Sequence, residues 1–322
     1  MLAGPVDGGH PKREKNVKFS SGGYDFTRVR RGGAKVMLVS KLNIRTDEIY
    51  TCVFAPDQER VLTGAAGNPV GLWEVRTGRC LREFEHPWKA WGLVWSDDQR
   101  QFLSVDGKLR LWDVASGRCL RELDDCEIRC VAWSADRKLA LTAWKGSLRL
   151  SDVESGKCLR VMEGHTDEIY SAAFDRSQRR ALSGSRDTTV RLWDLQTGRC
   201  VRVLEGHEYH VQCVAWSPDE KQALSCSRDI RLWDLETGKC LRIIEGHTDT
   251  IRTVKWSADQ RLALSASHDR TVRLWDMQSG RCLRVFEGHS AGVISASFSA
   301  DQRCVLSCDW RGGVGMWDVA GG

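Results

Sequence analysis

The sequence predicts an all-β protein made of seven copies of one four-stranded unit, and two patterns carry the prediction. A Trp-Asp pair or a degenerate form of it recurs at Trp73-Glu74, Trp112-Asp113, Ser151-Asp152, Trp193-Asp194, Trp233-Asp234, Trp275-Asp276 and Trp317-Asp318, at intervals of 39, 39, 42, 40, 42 and 42 residues. Between the marks, short alternating apolar runs are cut by Gly, Asp, Ser and Thr turns, with no helical periodicity of useful length.

The unit from Gly164 to Glu205 shows the elements in order. Gly164-His165 opens it, and Ile169-Tyr170-Ser171-Ala172-Ala173-Phe174 reads as a first strand. The polar turn at Asp175-Arg176-Ser177-Gln178 leads into a second strand through Arg180-Ala181-Leu182-Ser183-Gly184. A turn at Ser185-Arg186-Asp187-Thr188 precedes Val190-Arg191-Leu192-Trp193, and Gln196-Thr197-Gly198 precedes Cys200-Val201-Arg202-Val203-Leu204. A fixed period near 40 residues marks a repeat architecture, in which each unit buries its faces against its neighbours.

Four strands per unit, with Gly-His at one end and Trp-Asp at the other, resemble the WD-repeat β-propeller family over roughly residues 36–320. The resemblance implies a seven-bladed propeller of four-stranded antiparallel blades around a central channel. Its near-identical Gly-Arg-Cys-Leu-Arg and Val-Arg-Leu-Trp-Asp segments look like a bacterial-type, stand-alone member. Residues 35–322 are therefore read as the ring. The last unit lacks a fourth strand after Trp317-Asp318-Val319, and Lys35-Val36-Met37-Leu38-Val39-Ser40-Lys41-Leu42 is expected to supply it, closing the ring and covering a sheet edge.

The resemblance also implies a hydrogen-bonded chain of His, Ser, Asp and Trp in a blade. Two units carry it in full, His165, Ser183, Asp187, Trp193 and His247, Ser265, Asp269, Trp275. A third, His207, Ser225, Asp229 and Trp233, keeps the residues in a hairpin two residues shorter. A hydrolase triad is rejected because the set repeats around the ring and the Trp completes it, so no catalytic residue is assigned.

Residues 1–34 are Gly-rich and basic. Residues 1–35 hold eight Lys or Arg against Asp7, Glu14 and Asp25, which is the whole of the chain's +5, so the rest is neutral. The extension is expected to be disordered or ordered only by a partner. A neutral ring has no global field for a polyanion, so nucleic acid is not the expected partner of the ring, and the basic tail, with exposed Trp and Arg, is where it would bind. The first ten residues lack a signal pattern and no stretch approaches 18 apolar residues, so a cytoplasmic protein with no membrane partner is expected. Thirteen cysteines include six at one slot of six units (Cys80, Cys119, Cys158, Cys200, Cys240, Cys282), read as small buried apolar side chains outside any disulfide framework. Neither a metal nor a cofactor nor a small-molecule substrate is indicated.

Function is sought where the repeats disagree, in units one to three and in surplus tryptophans. Six Trp are repeat marks and four (Trp95, Trp133, Trp216, Trp256) end first strands, leaving Trp88, Trp91, Trp144 and Trp310. These fall in connections that open on one face, the top, over blades 7, 1, 2 and 3, with Tyr50, Lys89, Arg129, Lys145 and Arg311 nearby and Tyr170 and Tyr209 continuing around the face. Aromatic and Arg side chains are the currency of binding hot spots. The expected function is a non-catalytic scaffold docking one or more proteins or peptides there. The alternatives are a nucleic-acid-associated subunit and an enzyme with its active site at the channel mouth.

Overall fold

A computed structural model describes residues 18–21, 24–31, 34–42, 48–65, 69–123 and 130–319; for residues 18–41 it describes backbone only. Every regular element among them is a strand. Six blades are four-stranded antiparallel sheets in sequential order. Blade 4 is typical: Ile169–Phe174, Arg180–Ser185, Val190–Asp194 and Cys200–Leu204, from the channel outward. In blades 1, 2, 4, 5 and 6 the third-to-fourth strand pairing carries a bulge at the Trp, as where Trp193 pairs with Cys200, and blade 3 has it at Ser151.

The closing strand is borne out. Blade 7 contains Val293–Phe298, Cys304–Asp309 and Gly313–Asp318, and the last pairs with the strand Ala34–Lys41, Val36 opposite Trp317 and Lys41 opposite Gly313. The chain between blade 7's hairpin and blade 1 is pinned by Leu42 N–H to Gly312 O (2.9 Å) and Ile49 N–H to Trp310 O (2.8 Å). The basic extension continues this sheet outward. Its described part forms strands β1 (Lys18–Ser21) and β2 (Tyr24–Arg31) that add to the closing strand β3 (Ala34–Lys41), so blade 7's sheet has six strands. The physical reason is the open outer edge of β3: its backbone groups find partners in β2, from Thr27–Leu38 to Arg31–Ala34. Residues 1–17 lie outside the described residues.

The core is a set of layers between blades. One layer joins Leu182, Val190 and Leu192 of blade 4 to Val214, Ala223 and Trp233 of blade 5; another joins Leu306, Cys308 and Val314 of blade 7 to Ile49, Phe54 and Trp73 of blade 1. The repeat Trp therefore packs on the preceding blade, which is why it recurs. Turns between third and fourth strands are set by the Asp of the mark. Asp194 Oδ1 accepts from Thr197 N–H (2.6 Å), and Gly198 takes φ 74°, where a Cβ would stand 2.7 Å from Arg160 Cδ.

The cysteine slot is a correction. Cys80, Cys119, Cys158, Cys240 and Cys282 are exposed and Cys200 is half-buried; every described cysteine is free. These residues begin the outermost strand of each blade, where no further strand covers them, and the sulfur leans on a carbonyl two residues on, as Cys200 Sγ does on Arg202 O (3.2 Å). The Arg of the same motif staples neighbouring blades. Arg82 donates to Ser116 O (3.1 Å) and Ala115 O (3.0 Å), and Arg242 to Ser279 O (3.0 Å) and Gln278 O (2.9 Å).

Candidate partner-docking face

The polar chain inside the blades is present where the sequence places it. In blade 4, Trp193 Nε1–H donates to Ser183 Oγ (2.7 Å), Ser183 Oγ meets His165 Nε2 (2.7 Å), and His165 Nδ1 meets Asp187 Oδ2 (2.7 Å). Because a carboxylate only accepts, Nδ1 carries the proton and Nε2 accepts from Ser183, so Ser183 Oγ accepts once, from Trp193, and donates once. Blade 6 repeats this with Trp275, Ser265, His247 and Asp269, and blade 5 with Trp233, Ser225, His207 and Asp229. Burial pushes the His165 and His247 pKa down. Burial pushes Asp187 up, but hydrogen bonds from Thr189 and His165 outweigh it and hold the carboxyl at about 2. Ser183 is sealed from solvent, so this Ser-His-Asp set cannot meet a substrate.

Two further chains were missed in the sequence. Blade 2 has His86–Ser104 (2.8 Å), Trp112–Ser104 (2.8 Å) and His86–Asp106 (3.1 Å). Blade 7 has His289–Ser307 (2.6 Å), Trp317–Ser307 (2.7 Å) and His289–Asp309 (3.1 Å). The Asp stands two residues after the Ser instead of four, which hides it. The readable signal is the His-to-Ser separation of 18, the same in all five blades.

The surplus tryptophans gather on one face, for a structural reason. First strands start beside the ends of second strands (Val293 pairs with Asp309, Ile49 with Ala65), so blade-opening loops and second-to-third-strand turns share that face. Ile169 N–H donates to Lys145 O (3.1 Å) in the same way, tying the Trp144 turn to blade 4. Trp88 is 70% exposed. Its carbonyl accepts from buried His86 Nδ1–H (3.2 Å), so the polar chain of blade 2 fixes the loop that presents it. Trp91, Trp144 and Trp310 are half-buried, so of the four only Trp88 stands free of the ring. Lys89 Nζ lies 3.2 Å from Tyr50 Oη, 4.7 Å from that ring and 5.6 Å from the Trp91 ring; the two rings are 5.3 Å apart. Lys145 and Arg149 cover Trp144 at 5.2 and 5.1 Å, and Arg311 lies 5.5 Å from Trp310. On the far side, Tyr209 is exposed beneath Arg228 (4.3 Å), and Tyr170 faces the His210 ring at 6.2 Å. Arg129 lies outside the described residues.

The channel supplies a feature that the sequence reading did not assemble. A cavity of about 700 Å³ is lined by first strands of all seven blades. Four residues before the aromatic that ends each first strand stand Tyr50, Trp91, Arg129, Tyr170, Gln212, Arg252 and Ile294, and the six of these that are described line that cavity. A position related by the symmetry of the repeat thus carries five kinds of side chain in seven blades. Among the described residues no group of three or more His, Cys, Asp or Glu is arranged to hold a metal ion, and no helix is long and apolar enough to cross a membrane.

Blades, polar chains and Trp-Asp turns together define a WD-repeat propeller, and the chain belongs to that family. The family model described as WD domain, G-beta repeat, matches residues 78–113, 156–194, 198–234, 238–276 and 280–318, more than half of the chain. Units ending in Trp73-Glu74 and Ser151-Asp152, the degenerate marks, fall outside these matches. Among curated proteins the chain is similar to eukaryotic translation initiation factor 3 subunit I of Pyricularia oryzae, 37% identical over 60 residues that make up 19% of this chain and 18% of that protein. It is likewise similar to the protein of that name from Aspergillus terreus, 35% identical over 60 residues with the same coverage. The match spans under a fifth of either relative's length. Propellers of this family act in general as protein-interaction scaffolds.

Proposed function

We propose that this propeller is a non-catalytic adaptor, a subunit of a cytoplasmic complex, that docks a protein or peptide on its top face over blades 7, 1, 2 and 3. The observation that carries this reading is Trp88: a large apolar side chain held in water by a loop that buried His86 rigidifies, next to the Tyr50–Lys89–Trp91 cluster. An exposed Trp on a preorganised loop costs little entropy to dock. Trp144 with Lys145 and Trp310 with Arg311 extend the face on either side. The relatives, named as subunits of a translation initiation factor, support membership in an assembly without naming this chain's partners.

The test is co-purification of native partners with the wild-type chain and with Trp88→Ala, Trp144→Ala and Trp310→Ala, each first shown to melt like wild type. Loss of a stoichiometric partner with Trp88→Ala is the expected result. Retention of every partner by all three variants would place docking elsewhere on the ring.

A further inference from the structure

The channel mouth holds a cation that no carboxylate among the described residues neutralises. Arg252 opens the first strand of blade 6, and its Nη1 donates to Gln212 Oε1 of blade 5 (2.7 Å). Its Nε is sealed from solvent and has no hydrogen-bond partner. No carboxylate among the described residues pairs with it; the groups around it are Gln212, Tyr170, Cys213, Cys226 and His268. Burial accordingly pushes its pKa down. A guanidinium has five N–H donors, and one whose Nε is sealed while Gln212 is its one side-chain acceptor among the described residues has donor capacity left that an arriving anion would use. Arg252, Gln212 and Tyr170 all line the channel cavity, so an anion can reach this group from the open face.

We propose that the top of the channel between blades 4, 5 and 6 is a carboxylate-binding subsite, with Arg252 as the charge and Gln212 as its positioning residue, taking an Asp or Glu side chain of a docked partner segment. A carboxylate matches the planar fork of the guanidinium and gives a charge-assisted hydrogen bond in a low-dielectric pocket. The subsite deepens the docking function and rests on it. It lies across the channel from Trp88, so a partner that buries the tryptophan arc and crosses the mouth would place an acidic residue on Arg252.

The experiment uses the full chain with ¹⁵N-labelled arginine, the Arg252 Nε–H resonance assigned by its absence in Arg252→Gln. N-acetylglutamate N-methylamide is titrated at fixed ionic strength, with the glutamine analogue as control. A saturable shift of that resonance, at least tenfold weaker for the glutamine analogue, is expected. Gln212→Glu supplies an internal carboxylate beside Nη1 and should abolish the response while the protein stays folded. A non-saturating shift, or equal response to both analogues, overturns the subsite and leaves the Trp88 test of docking untouched. Tenfold tighter binding of N-acetylphosphoserine N-methylamide would reassign it to phosphate.

Discussion

Replacing Ser183 by Ala tests whether the polar chain inside each blade stabilises the ring. Ser183 Oγ is the hub of blade 4: it accepts from Trp193 Nε1–H (2.7 Å), meets His165 Nε2 (2.7 Å) and is fully buried. The substitution removes two hydrogen bonds worth about 1 kcal/mol each and leaves the Trp193 donor orphaned in a dry layer, where desolvation costs about 1–3 kcal/mol. A loss of roughly 3–5 kcal/mol follows, and at about 2 °C per kcal/mol for a chain of this size the melting point should fall by about 6–10 °C. Adding Trp193→Phe removes the orphaned donor, so the double variant should lose less than the two single losses combined; the coupling is read from a double-mutant cycle. Urea unfolding followed by near-ultraviolet circular dichroism measures both. A Ser183→Ala cost below about 0.5 kcal/mol, or strict additivity with Trp193→Phe, would refute the view that the chain is a paired buried network.

Deleting residues 34–41 removes β3 and should abolish cooperative melting, whereas deleting residues 1–31 leaves the β3 pairing with Gly313–Asp318 and should shift the melting point by only a few degrees; equal effects would deny β3 its closing role. Acid should destabilise in two stages. Folded His165 and His247 resist protonation that the unfolded chain accepts near pH 6.5, so their contribution is complete above that pH and is lost as pH falls below it toward their depressed folded values. Asp187, held at about 2, adds stability that is present above about pH 4 and lost as pH falls toward 2. A melting point that rises between pH 7 and pH 5 would contradict the first stage. Gly198→Ala forces a side chain onto a φ of 74° and a Cβ to 2.7 Å from Arg160 Cδ, so it should cost about 1–2 kcal/mol in thermal unfolding; a neutral result would mean the turn relaxes freely.

The ring was legible because its signals are local. A strand-ending Trp, an Asp that ties the next turn and a Gly at positive φ all act within ten residues of one another, so each unit announces itself. The closing strand was legible as a missing fourth strand. The exposed cysteines were not: alternation along Cys-Leu-Arg says which residues share a face, but not that the strand is outermost and has no neighbour beyond it. Asp106 and Asp309 were passed over because the turn that delivers the carboxylate differs in shape from that of blade 4, and only the fixed step from His to Ser shows through. Of the docking face, the gathering of tryptophans followed from which loops share a side, but burial of Trp91, Trp144 and Trp310 depends on neighbouring blades. The Arg252–Gln212 pairing required blades 5 and 6 to be side by side.

The register Val36–Trp317 joins residues 281 positions apart, and this separation sets a schedule for synthesis. At roughly 5–20 residues per second, a ribosome needs about 15–60 s to go from one partner to the other. Through that interval β3 has one edge open with its intended neighbour not yet made, and such an edge recruits strands from other nascent chains. The hairpin of β1 and β2 is made before β3 and takes its other edge as soon as it emerges. The extension thus acts as a guard for the ring's latch: half of the exposed strand is occupied from the start, and the remaining half admits a single late arrival.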